Sequence, residues 1–139
     1  MTKSIVAEGE FILKKSAGEK FNPKIGRPWE DYSPRMNNKE LETKILIAIQ
    51  DFGKAHQYSE KFEAIKIASP DWVITRTNTL TPVITGRYVV AYCKSVWPSG
   101  QCKVQRFFFR QSYDGSKYSS VTLCGGIYDM DDPRAIDCD

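Results

Sequence analysis

Apolar residues recur at three- and four-residue intervals in one stretch of the chain, and at alternate positions through most of the residues C-terminal to it. In the first stretch Leu41, Ile45, Ala48, Ile49, Phe52 and Ala55 fall on one side of a helical wheel, with Lys44, Gln50, Asp51 and Lys54 elsewhere. The spacing predicts one amphipathic helix over residues 38–57. Asn37 stands where a side-chain oxygen can accept from the free N–H groups of a first turn. Glu40, three residues on, completes a capping box, and Met36 and Leu41 occupy the staple positions. The single histidine, His56, falls at the other end, where the dipole and the unpaired carbonyls favour a cation, so a capping role is expected of it rather than catalysis.

Beyond the helix the period changes to two. KFEAIKIA and WVITRTN, separated by Ser69-Pro70-Asp71, read as two short strands, and residues 80–86, with Pro82, as a loop or bulged connection. The longest alternating run covers residues 87–112, RYVVAYCKSVW, then PSG, then QCKVQRFFFRQS, and predicts a long central β-hairpin. A two-residue turn at Pro98 and Ser99 sets Tyr88 opposite Phe109 and Val90 opposite Phe107, on a core face shared with Tyr92 and Val96. A three-residue turn at Tyr113-Asp114-Gly115, with Gly115 left-handed, adds a strand over residues 117–124 that puts Val121 and Leu123 on the same face. In that register the opposite face collects Arg87, Val89, Ala91, Cys93, Ser95 and Trp97 from one strand. Cys102, Val104, Arg106, Phe108 and Arg110 come from the next, and Ser120, Thr122 and Cys124 from the last.

The chain before the helix is less regular. Residues 5–13 alternate loosely around Gly9, as a short edge strand or a bent arm would. Residues 16–34 intersperse Gly18, Pro23, Gly26, Pro28 and Pro34 with Phe21, Ile25, Trp29 and Tyr32, the composition of a long connection pinned by its aromatics. At the other end Asp129, Asp131 and Asp132 mark an acidic tail, expected as a solvated end. The organisation is thus an arm and connection over 1–36, helix and sheet over 37–128, and a tail over 129–139. All belong to one domain, since 139 residues suffice for a single core.

The order of elements over residues 37–127, one helix and then consecutive antiparallel strands, resembles the cystatin-like and NTF2-like folds, in which a curved sheet wraps a helix. The resemblance implies an α+β fold with one main amphipathic helix packed on a curved antiparallel β-meander. On the NTF2-like side it also implies a cavity between helix and sheet.

Composition narrows the function classes. Lys and Arg exceed Asp and Glu by 20 to 17, a formal charge of +3 that does not demand a polyanion. Phe108 between Arg106 and Arg110 has the makings of a base-stacking strand, but VQRFFFRQ does not match the RRM consensus, and nucleic acid is not the expected partner. No apolar run approaches the ~20 residues of a membrane helix, so no membrane association is expected. The opening residues, MTKSIVAEGEFILKK, lack the apolar core of a secretory signal, so the chain is expected in the cytoplasm, or secreted where a leader has been removed.

Four cysteines are present. By the register above Cys93, Cys102 and Cys124 share a face and Cys138 lies in the tail. Reduced side chains are expected, with a Cys93–Cys102 bond as the alternative in an exported protein. No C-x2-C or C-x4-C knuckle is present, so no metal is expected. No phosphate-binding glycine motif, calcium loop or nucleophile context around the one histidine is found, and no catalytic residue or cofactor is assigned.

What remains is a sheet face rich in arginine and aromatics, the composition of a contact surface. Arg87, Trp97, Arg106, Phe108 and Arg110 are its candidate binding residues. The expected function is a non-enzymatic interaction module taking a protein partner or a second copy in a homodimer, unless the N-terminal arm simply covers the face. The second reading is a small-ligand-binding or enzymatic NTF2-like protein, using Tyr88, Tyr92 and Asp51 or His56 as polar groups in a cavity.

Overall fold

The computed structural model describes residues 28–77, 80, 82–128 and 132–138. The strand or arm expected over residues 5–13, and most of the irregular connection, lie outside them. A 3-10 turn, Trp29–Asp31, precedes the helix α1, Lys39–Ala55. The N-cap is Asn38, one residue later than expected: its Oδ1 accepts from the Leu41 N–H at 3.0 Å. Adjacent asparagines offer the same chemistry, and the one that caps is the one that turns Leu41, Ile45 and Ile49 onto the sheet. At the far end His56 Nδ1 donates to the Phe52 carbonyl at 3.0 Å while its ring stacks on Phe52, 4.0 Å between centroids. His56 therefore closes the helix, as expected.

Among the described residues six antiparallel strands form one sheet that does not close into a barrel: β1 Lys61–Ile67, β2 Val73–Arg76, β3 Ile84–Val96, β4 Cys102–Ser112, β5 Thr122–Gly126 and β6 Arg134–Ile136. The sheet is four lanes wide. β3 and β4 are the long central pair. β1 and β2 lie end to end along the outer edge of β3, and β5 and β6 lie end to end along the outer edge of β4. Each edge is one strand with an excursion in the middle.

Both excursions leave a central N–H without a backbone acceptor, and in both a side-chain oxygen replaces it. Val90 N–H donates to Ser69 Oγ, and Arg106 N–H to Asp132 Oδ1, each at 2.8 Å. The matching carbonyls are used as well: Val90 C=O accepts from Ala68 and Ser69, and Arg106 C=O from Ile127. The ladder is thereby satisfied across each break.

The β3–β4 register differs from the expected one by a single residue. Val89 pairs with Phe109 and Ala91 with Phe107. The cause is the turn: Gly100 adopts φ +88°, its N–H donates to the Trp97 carbonyl at 2.8 Å, and Trp97 N–H reaches Gln101 C=O at 2.9 Å. Pro98, Ser99 and Gly100 make a three-residue loop with a left-handed glycine, not a two-residue one. A one-residue shift moves every β3 side chain to the other face. The core against α1 accordingly holds Val89, Ala91 and Cys93, while Tyr88, Val90, Tyr92 and Val96 face outward.

On β4 the expected faces hold, with Phe107 and Phe109 inside, and Val121 and Leu123 join them as expected. Gly115 is left-handed as anticipated, at φ +97°. However, the last strand begins at Thr122, because residues 113–121 form a longer loop closed by a Tyr113–Tyr118 bridge.

Ile45, Ile49, Ile67, Val89, Ala91, Cys93 and Phe109 are wholly inaccessible, so the space between helix and sheet is filled by apolar side chains. Phe109→Ala should destabilise by about 3–5 kcal/mol. Ile47→Ala, on the helix face where the side chain is 51% exposed, should cost under about 0.5 kcal/mol. Urea denaturation of the two variants checks the assignment of faces.

Candidate functional site

The five candidate binding residues do not share a surface. Arg106, Phe108 and Arg110 alternate onto the outer face of β4. Arg87 follows Val89 and Ala91 to the helix-bearing side. There its guanidinium lies 4.1 Å from the Trp72 ring centre and 3.9 Å from that of Tyr118, and its Nε donates to Gln111 Oε1 at 2.8 Å. This is a structural sandwich that closes the end of the core. Trp97 sits past the end of β3, under the Lys103 ammonium at 4.3 Å, with its indole N–H buried and unpaired. Desolvation lowers the pKa of Lys103.

The outer face has two halves. Near the β3–β4 turn it carries a second apolar cluster of Tyr32, Cys102, Val104 and Ile136, with Trp29, Tyr92 and Val96 against it. Tyr32 meets Tyr92 edge-on at 5.0 Å. Lys66 Nζ donates to the Trp29 carbonyl at 2.6 Å and lies 4.4 Å from the Trp29 ring centre. Burial lowers the pKa of this amine, against the opposing pull of Glu30 and Asp31. The described end of the irregular connection thus folds across this half, and the tail covers its flank.

Over its described residues, 132–138, the tail is not a solvated end. β6 pairs with the first three residues of β4, and Ala135 and Ile136 are buried. Asp132, 5% exposed, accepts from the backbone N–H of Arg106 and from its Nε, each at 2.8 Å, and from Nη2. Arg106 is therefore engaged in an internal ion pair. Cys138 is bonded to Cys102, 36 residues away, and its carbonyl accepts from Lys94 Nζ at 3.0 Å. Closing a loop of that length is worth on the order of 4 kcal/mol in the chain-entropy account.

The expectation of uniformly reduced cysteines fails at this pair, and the alternative Cys93–Cys102 bond fails with the register. Cys93 is free in the core, where burial pushes its thiol well up, and Cys124 is free and exposed.

The other half of the outer face carries Tyr88, Val90, Phe108 and Arg110. The Tyr88 and Phe108 rings meet edge-on at 5.6 Å, and Val73 beside them on β2 is 43% exposed. Tyr88, Val90 and Phe108 keep partial exposure and belong to neither apolar cluster. Arg110 is held at the rim: Nη1 donates to Ser112 Oγ at 3.2 Å, and Nη2 to Thr85 C=O at 3.3 Å and Thr75 Oγ1 at 3.5 Å. Gly86 makes room for it, since a Cβ there would lie 2.8 Å from Arg110 Nη2 and 2.5 Å from the Gln111 carbonyl. Pattern reading misses Tyr88 and Val90 as site residues because it sets the register one residue off; the glycine after Pro98-Ser99 is the signal that could have found them.

The polar groups of the second reading do not converge. Tyr88 and Tyr92 lie outside, His56 ends the helix, and Asp51 lines a surface cleft of about 540 Å³ with Lys44, Tyr118 and Ser120. No group of three or more metal-ligating side chains occurs among the described residues, and no described helix is long and apolar enough to cross a membrane. Comparison with family models, curated proteins and solved structures finds no match.

Asp132→Ala removes the acceptor of the Arg106 N–H and the carboxylate that faces its guanidinium, and should destabilise by about 3 kcal/mol, with Asp132→Asn recovering part through its remaining carbonyl oxygen. Gly86→Ala should cost about 2 kcal/mol, because the obstruction is a backbone carbonyl that cannot swing away. Denaturant midpoints of the three variants test both statements.

Proposed function

We propose that the chain is a non-enzymatic interaction module that receives a polypeptide, a partner protein or a second copy of itself, on the open half of the outer sheet face. The observation that carries this reading is the partly exposed Tyr88, Val90 and Phe108 group, with Arg110 at its rim and exposed Val73 beside it. Aromatic anchors beside a positioned arginine are the composition of binding hot spots, and a partly exposed sheet face suits a protein surface better than an enclosing pocket would. The filled core between α1 and the sheet removes support from a ligand cavity there.

On the order of its elements the chain is grouped, as part of this proposal, with the cystatin-like folds rather than the NTF2-like ones, since among the described residues one α-helix lies against the sheet. The Cys102–Cys138 bond favours an oxidising compartment over the cytoplasm as the place where the module works.

Phe108→Asp places a charge in the middle of the patch without touching the helix-side core. It should leave the circular dichroism spectrum unchanged and weaken association by about 30-fold or more, the loss of one hot-spot aromatic. Sedimentation velocity over a wide concentration range reads self-association, and capture of a partner on immobilised wild-type and variant chains reads the rest. Equal behaviour of the two chains in both measurements would end the proposal.

A further inference from the structure

The two apolar clusters lie on opposite sides of the sheet and share no residue. The helix-side cluster draws on α1, β1, β3, β4, β5 and Val121. The outer cluster draws on the ends of β3 and β4, on Trp29 and Tyr32, and on Ile136 of the tail. The tail itself is held by a three-residue ladder, the Asp132 carboxylate on Arg106, the Lys94 bond to the Cys138 carbonyl, and the Cys102–Cys138 bond. A three-residue edge strand opens readily unless tied down, and here the covalent tie sits just beyond its last residue. The bond is also asymmetric: Cys138 is exposed, whereas Cys102 is 1% exposed.

We propose that the Cys102–Cys138 disulfide is a thiol-sensitive latch: a dithiol reductant opens it, β6 lifts, and the Cys102–Val104 end of β4 is uncovered on the same outer face that carries Tyr88, Val90 and Phe108. A thiolate of the reductant attacks Cys138 Sγ, the accessible sulfur. The S–S electron pair leaves on Cys102 Sγ, which takes a proton. The reductant's second thiol then attacks the mixed disulfide and releases Cys138 as a thiol. Two electrons and two protons pass to the protein, and the dithiol leaves as a cyclic disulfide. Cys93 takes no part, being enclosed in the other cluster, and α1 stays packed because no residue of its core depends on the tail. That opening the latch alters binding rests on the outer-face reading above; that it opens locally does not.

The free cysteines supply the test. Under native conditions an alkylating agent followed by intact-mass analysis should add one label, at Cys124, to the oxidised chain. After treatment with dithiothreitol it should add three, at Cys124, Cys138 and Cys102, with Cys93 labelled only in denaturant. Hydrogen exchange should quicken in residues 132–138 and 102–104 and around Tyr32, and remain unchanged through 39–55. Cys138→Ser should show the same exchange pattern without reductant.

Two results overturn the latch. One is a reduced chain and a Cys138→Ser variant whose tail amides stay as protected as in the oxidised protein. The other is labelling of Cys93 together with Cys102, which would make the bond a tie for the whole fold. If the strand opens as described while association is unchanged, the latch stands and the outer-face reading alone is at fault.

Discussion

The hydrogen-bonded turn between β3 and β4 decides which half of the chain's apolar side chains is inside. Gly100 at φ +88° allows Trp97 N–H to meet Gln101 C=O, and that bond sets every later pair in the hairpin, Val96 with Cys102 through Gly86 with Ser112. An L side chain at this φ is disfavoured, so the glycine is what makes the register inexpensive. The other lanes take their positions from this pair: β1 and β2 align on β3, and β5 and β6 on β4. Displacing the hairpin by one residue would bury Tyr88 and Tyr92 under α1 and expose Val89 and Ala91.

Much of this was legible in the residues themselves. The 3.6-residue period located α1 to within two residues at its C-terminal end, and alternation located β1 to β4. On β4 the contrast between Phe107 and Phe109 on one side and Arg106 and Arg110 on the other fixed the inner face without reference to any turn. On β3 no such contrast exists: Val89, Ala91 and Cys93 are as apolar as Tyr88, Val90 and Tyr92, so alternation cannot say which set is inside. Only the turn geometry could, and the choice of a two-residue loop reversed the strand. The misplacement of Arg87 and Trp97 came from that one step.

The tail was opaque for a different reason. Its acidic residues look solvated when read locally, and nothing near Asp132 in sequence announces that its partner is Arg106, 26 positions back. A pair of opposite charges that meets across the sheet has no periodic signature. The same holds for Tyr32 against Tyr92 and for Cys102 with Cys138. The outer layer is built almost entirely from such contacts between distant segments, which is why its existence emerges from the fold and not from pattern. One side of the sheet was therefore readable in advance and the other was not.

The two excursions in the edge lanes, bridged by Ser69 Oγ and Asp132 Oδ1, separate what can vary in length from what cannot. Each side-chain oxygen completes the ladder from its own end of the excursion, so the number of residues between Ser69 and Val73 is not constrained by the pairing on either side. Residues can be added there at the modest entropic expense of a longer loop. Adding one residue between Val96 and Cys102 has no such freedom, since it would turn β3 inside out. Relatives of this chain should accordingly differ in length at the edge excursions and agree in length at the central turn, and engineered tags or inserted domains belong at the former.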